Sequence, residues 1–155
     1  VGQTVATLIF GVLGTPVNMA IRPYLNAKKV PHLFNAAGSS AFNDPKKYHW
    51  TTGWQPNLHD EAKFYATQLL KLNPNAKIGV LYQNDDFGKD MLAGLKDGLG
   101  DRADKMIVAK ESYELTDPTV DSKILALKAS GADTLIMENS SPGKKRTMCG
   151  SAKPP

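Results

Sequence analysis

The sequence predicts an α/β fold of parallel sheets with helices on both faces, and three observations carry that prediction. Short apolar runs alternate with stripes of helical period, in the order β-α-β-(β)-α-β-α-β-α-β. Ile78 to Leu81 is continuously apolar rather than alternating, as for a strand covered on both faces. That run passes through the polar turn Gln83-Asn84-Asp85-Asp86 into a helical stripe of Phe87, Met91, Leu92 and Leu95, with Gly98 and Gly100 as a stop. Polar groups therefore stand at the carboxyl end of a strand, which is where ligands bind in open α/β sheets.

Taken in order, Val5 to Phe10 reads as a buried strand and Gly11-Val12-Leu13-Gly14 as a turn. Thr15 suits an N-cap and Pro16 the first helical position. The helix that follows carries Val17, Ala20, Ile21 and Leu25, with a kink expected at Pro23 because a mid-helix proline loses a hydrogen bond. Val30 to Ala37 is the next strand, Gly38-Ser39-Ser40 a loop, Phe42 to Trp50 irregular, and Thr51 to Trp54 a short strand. Gln55-Pro56-Asn57 is the natural boundary. An amphipathic helix follows it, with Leu58, Ala62, Tyr65, Ala66, Leu69 and Leu70 on one stripe. Asp60 and Glu61 lie in its first turn, where the dipole favours anions, and Pro74 ends it. After the Ile78–Leu81 strand and the helix of Phe87 to Leu95 come a strand over Met106 to Lys110 and a helix starting at Asp117-Pro118. That helix carries Val120, Ile124 and Leu127 and stops at Gly131, before a last strand over Thr134 to Met137. Residues 139–155, NSSPGKKRTMCGSAKPP, have no apolar period and are expected to be disordered.

The bulk numbers exclude several classes. The chain has 155 residues, 41% apolar and 22% charged, as for one globular unit with a sizeable core. No window approaches the ~18 apolar residues of a membrane span. No basic leader precedes the first strand, and localisation is not readable from the terminus. The net charge of +4 is modest, and apart from Gly143-Lys144-Lys145-Arg146 the basic residues are scattered, so no nucleic-acid partner is expected. Cys149 is alone, which rules out an intramolecular disulfide or a thiolate metal cluster.

Several segments together resemble the type I periplasmic solute-binding proteins, specifically the branched-chain (Leu/Ile/Val) amino-acid family of ABC importers. They are Phe10-Gly11-Val12-Leu13-Gly14-Thr15, the run Ile21-Arg22-Pro23-Tyr24-Leu25-Asn26-Ala27-Lys28-Lys29-Val30-Pro31, and Leu81-Tyr82-Gln83-Asn84-Asp85-Asp86-Phe87-Gly88. Asp117-Pro118-Thr119-Val120-Asp121 and Leu127-Lys128-Ala129-Ser130-Gly131-Ala132-Asp133 complete the set. Their order and spacing extend over residues 1 to about 138.

The resemblance implies a periplasmic-binding-protein-like fold of two incomplete lobes. Residues 1–55 would be the second half of the N-terminal lobe, 56–138 the first half of the C-terminal lobe, and 139–155 a divergent tail. It implies a non-enzymatic receptor in the periplasm that closes over a hydrophobic amino acid and hands it to a membrane permease. It also implies site residues. Thr15, at a helix start, would hold the ligand carboxylate, with Leu13 as the adjacent backbone contact. Ala36, Ala37, Gly38 and Ser39 would offer backbone groups to the ammonium and carboxylate. Phe87 would close over the ligand where the family often has Tyr. On the residues alone Thr15 is equally a plain N-cap, positions 36–39 an ordinary turn, and Phe87 a core residue. A part of such a receptor is expected to fold with weak cooperativity or to associate, and to bind ligand poorly.

Other chemistry is weakly signalled. Asp85 and Asp86 could hold Mg²⁺ as in flavodoxin-like receiver domains, with later strands ending near Glu111 and Glu138, or could cap the next helix. A regulatory ligand sensor of the same fold is the other alternative. His32, His49 and His59 lack metal spacing. No Walker, Gly-x-Gly-x-x-Gly or Gly-x-Ser-x-Gly motif is present, so no cofactor is expected. Ser39 and Ser40 have no base nearby in sequence, and Trp50 and Trp54 read as packing residues.

Overall fold

The computed structural model describes residues 6–138. They form two three-stranded parallel sheets. The first runs β1 (Ile9–Phe10), β2 (His32–Asn35), β3 (Thr51–Gly53). In the second, β4 (Ile78–Gln83) lies between β5 (Ile107–Tyr113) and β6 (Thr134–Glu138). Helix α1 (Thr15–Ala27) joins β1 to β2, and α2 (Leu58–Leu72) leads from the first sheet to the second. Helix α3 (Asp86–Leu99) and the short α4 (Ala103–Met106) join β4 to β5, and α5 (Asp121–Ala129) joins β5 to β6. Among the described residues no helix is long and apolar enough to cross a membrane.

The apolar run of β4 is buried for the reason its sequence indicates. One face carries Ile78 and Val80 against Leu58, Ala62 and Ala66 of α2 and Met91, Leu95 and Leu99 of α3. The other carries Leu81 against Tyr113 of β5 and Leu127 of α5. Each fully buried aliphatic here contributes roughly 1.5–3 kcal/mol. Helices α2 and α3 pack backbone to backbone. A Cβ on Gly94 would lie 2.1 Å from the His59 carbonyl oxygen, and one on Gly98 2.5 Å from the Ala66 Cβ. Gly98 thus serves this packing inside α3, and the helix stops at Gly100 alone, in the left-handed region at φ 57. Because α3 and α5 lie on opposite faces, β5 and β6 flank β4 on opposite sides.

Several boundaries differ from expectation. Strand β1 is only Ile9–Phe10, and Val5 lies outside the described residues, as does the tail from Asn139. Strand β5 runs on to Tyr113, so Glu111 pairs with Leu81 in mid-strand instead of ending it. Helix α5 starts at Asp121. Asp117 is used earlier, its carboxylate accepting from the Glu114 N–H at 3.0 Å in the preceding turn.

Helix α1 is the main departure. It is one helix through Pro23, and its buried residues are Thr15, Asn18, Arg22 and Leu25. Val17 and Ala20 of the expected stripe are exposed. The buried face is polar because its side chains donate to carbonyls of the neighbouring loops. Strand β2 has a bulge at Phe34, whose φ is +53, strained for an aromatic residue. The bulge breaks the two-residue alternation. His32 and Asn35 are both fully buried, while Phe34 turns outward to meet Phe10 edge-on at 5.5 Å between centroids.

Candidate functional site

Two loops meet at the carboxyl ends of β1 and β2. The first, residues 11–14, turns through Gly11 (φ 66) and Gly14 (φ 97), where an L-residue would be strained. It is laced to the second by Ala36 N–H to the Val12 carbonyl at 2.9 Å and Gly14 N–H to the Ala36 carbonyl at 3.2 Å. Leu13 and Ala36 thereby form an isolated parallel bridge. The Leu13 side chain is 76% exposed above this bridge. Thr15 is not the cap of α1. Gly14 occupies that position, its positive φ starting the helix one residue early, and Thr15 is the first helical residue. Thr15 is buried, at a helix end whose first N–H groups are unpaired within the helix.

The second loop is held from the other side. A Cβ on Gly38 would lie 2.2 Å from the Pro56 carbonyl oxygen, so only glycine fits where the chain crosses between sheets. The Gly38 carbonyl accepts from Leu58 N–H at 2.8 Å, joining the loop to the start of α2. Ala37 and Ser39 are buried. The Ser39 hydroxyl caps the turn Ser40–Phe42 by accepting from Ala41 N–H at 3.3 Å. Both Ala36 backbone groups and the Gly38 carbonyl are thus engaged within the protein.

The next residue reaches the second half of the chain. Ser40 donates its backbone N–H at 2.7 Å, and its hydroxyl, to the two oxygens of Asp90 on α3. Phe87 lies one turn before Asp90, half-buried, and its ring packs against the α2–α3 core. Leu13, Thr15 and residues 36–39 therefore converge directly, and the Ser40–Asp90 contact brings the start of α3 to the same rim. Asp85 caps α3, accepting from Gly88 N–H at 3.1 Å and from the Gln83 side-chain amide. That is the capping role, and no group of three or more metal-ligating side chains occurs among the described residues.

Glu138 ends β6 opposite Tyr82 and is buried. Burial first, and the Glu61 carboxylate second, push its pKa up to about 7. The buried Tyr113 hydroxyl donates to Gln83 at 3.3 Å, and burial with the nearby Asp85 charge raises it to about 12. Burial and then the Arg22 charge lower the His32 pKa. Trp54 does not pack as expected. It is exposed and lines an open groove with Pro56, Phe64 and Tyr65 at the crossing.

The residues that sequence reasoning missed are Asn18, Arg22 and Asp90. Asn18 and Arg22 are four apart and in phase with Leu25, so polar side chains share a stripe with a core leucine, a local signal that was present. Asp90 has no such signal, because its partner is fifty residues away.

A family model described as periplasmic binding protein matches residues 1–143. Comparison with curated proteins finds no match. Among solved structures, a solute-binding protein of an ABC transporter from R. palustris, in complex with benzoate, superposes with TM-score 0.76 at 15% identity, covering 89% of this chain and 38% of that one. A substrate-binding periplasmic protein from Ralstonia solanacearum gives 0.72 at 25% identity, covering 88% and 38%. A branched-chain amino-acid ABC transporter protein from Thermus thermophilus with bound valine gives 0.67 at 12% identity, covering 86% and 35%. The chain thus spans little more than a third of the length of these structures.

Proposed function

The chain belongs to the periplasmic binding protein family, and from that premise we propose that it is the ligand-gripping part of an extracytoplasmic solute receptor of an ABC importer. It works without catalysis, holding a small carboxylate-bearing solute between its two α/β halves for delivery to a membrane permease. Residues 1–55 would belong to one lobe and 56–138 to the other. The observation that carries this reading is Thr15, a hydroxyl residue buried at the N-terminus of α1, beside the exposed Leu13. Partial positive charge at a helix N-terminus suits a carboxylate. Leu13 on one rim and Phe87 on the other supply apolar contacts for the rest of the solute.

Hydrophobic amino acids such as leucine, isoleucine and valine are the first ligand class, and aromatic acids such as benzoate the second. Both carry the carboxylate, and solved relatives hold valine and benzoate. The test is titration of valine, leucine and benzoate at millimolar concentration into the ¹⁵N-labelled chain. Expected are amide shifts at Leu13, Thr15 and Ala37 to Ser39 that vanish in Thr15→Val. Shifts elsewhere only, or none with any of the three, would refute this site.

A further inference from the structure

We propose that Asn18 and Arg22 are positioning residues, through which one buried face of α1 sets both loops of the solute site. The inference rests on the reading of those loops as ligand-binding. Asn18 is fully buried, and its single side-chain amide donates to the Val12 carbonyl at 2.8 Å and the Gly14 carbonyl at 2.7 Å. Those carbonyls flank Leu13, so the amide clamps the first loop on both sides of the residue it presents. Arg22, one turn on and also buried, donates from Nη1 to the Ala41 carbonyl at 2.7 Å. Its guanidinium carbon lies 3.7 Å from the Tyr48 ring centroid and 5.1 Å from that of Phe42. A planar cation stacked on an aromatic face and hydrogen-bonded at its edge has few other orientations, which a lysine would not share. The second loop, with Ser39 and Ser40, is thereby held at its far end.

The chemistry matches the burial. Apolar residues at 18 and 22 would pack against the sheet more cheaply than these do, since Asn18 Oδ1 and Arg22 Nε are buried without partners. They would remove one donor from each of the Val12, Gly14 and Ala41 carbonyls, with the Ala36 N–H left on Val12 and the Asn18 N–H on Gly14. Because both side chains leave the same helix four residues apart, α1 holds the far side of each loop, in addition to the backbone hydrogen bonds that join the loops at Val12, Gly14 and Ala36.

The test uses backbone and side-chain amide exchange in the full 155-residue chain. In the wild type, the Asn18 side-chain amide protons exchange slowly, and exchange at the solvent rate overturns the proposal even if no variant folds. Asn18→Ser is expected to speed exchange at Leu13 and Gly14 about five- to tenfold, with Ser40 to Phe42 unchanged, as for loss of one or two hydrogen bonds. Arg22→Lys gives the reverse pattern. Uniform acceleration in both loops, or none in either, overturns the positioning role. Valine and benzoate are then titrated into all three proteins. Loop-specific exchange without ligand-induced shifts keeps the positioning role and removes the solute reading. Shifts that weaken in both variants support the two together.

Discussion

Gly94→Ala reverses the usual sign of a glycine replacement in a helix. In an open helix interior the change stabilises by up to about 1 kcal/mol, because alanine loses less backbone entropy on folding. Here the new Cβ would lie 2.1 Å from the His59 carbonyl oxygen and 2.8 Å from the His59 carbonyl carbon and Cα. All three are backbone atoms of α2, so no side-chain rotation relieves the clash. The two helices must separate locally by about 1 Å, which on a steep contact potential forfeits a quarter to a half of each contact affected. Ala62 and Leu95, both fully buried, lie in this packing. An overpacking cost of about 2–3 kcal/mol, less a propensity gain of about 1, leaves a net loss of about 1–2 kcal/mol. The assay is urea unfolding by circular dichroism at constant m-value, with Ala93→Gly as the reference. Ala93 is exposed on the same helix, and its replacement should cost about 1 kcal/mol from propensity alone. A Gly94→Ala chain as stable as the wild type, beside a destabilised Ala93→Gly chain, would refute the claim that α2 and α3 touch backbone to backbone.

Two further outcomes follow from named contacts. Asp90→Ala removes both acceptors of Ser40, and amide exchange at Ser40 should accelerate severalfold while global stability falls by no more than about 1–2 kcal/mol. Unchanged exchange there would mean that the two halves are not joined at this point. Glu138 governs a pH window. Its folded pKa, about 7, lies above the ordinary carboxylate value of 4.5, so between those limits the folded state holds a proton that the unfolded chain has lost. Stability should therefore fall as pH rises from about 4.5 to 7, by up to about 3 kcal/mol, and level off above. Glu138→Gln should flatten this slope, measured as unfolding midpoints at successive pH values. A slope of the same size in the variant would assign it to other groups.

How far the sequence reaches depends on the range of the interaction involved. The α/β class, the element order and the two-sided burial of β4 follow from local periodicity, since an apolar run too regular to alternate has to be covered on both sides. Asp85 as a helix cap was legible too, because capping bonds span only a few residues. The family was legible in segments whose order extends over residues 1 to about 138, and the family match covers residues 1–143. The site was legible only as positions in those segments. Nothing local distinguishes the engaged Ala36 backbone from the buried Thr15 at the helix end.

What the tertiary structure decided is which way things face. By composition alone, Val17 and Ala20 belong inside and Asn18 and Arg22 outside, and α1 is turned the other way. The reason is hydrogen bonding outside the helix, since the Asn18 and Arg22 side chains donate to the Val12, Gly14 and Ala41 carbonyls of the neighbouring loops. The bulge at Phe34 likewise turns His32 and Asn35 inward together, against the parity of a regular strand. Ser40 finds Asp90 only once both sheets exist. Periodicity records which residues can be buried, and the elements were determined by it. The orientation of each element waits on partners distant in the chain, which are defined only by the assembled fold.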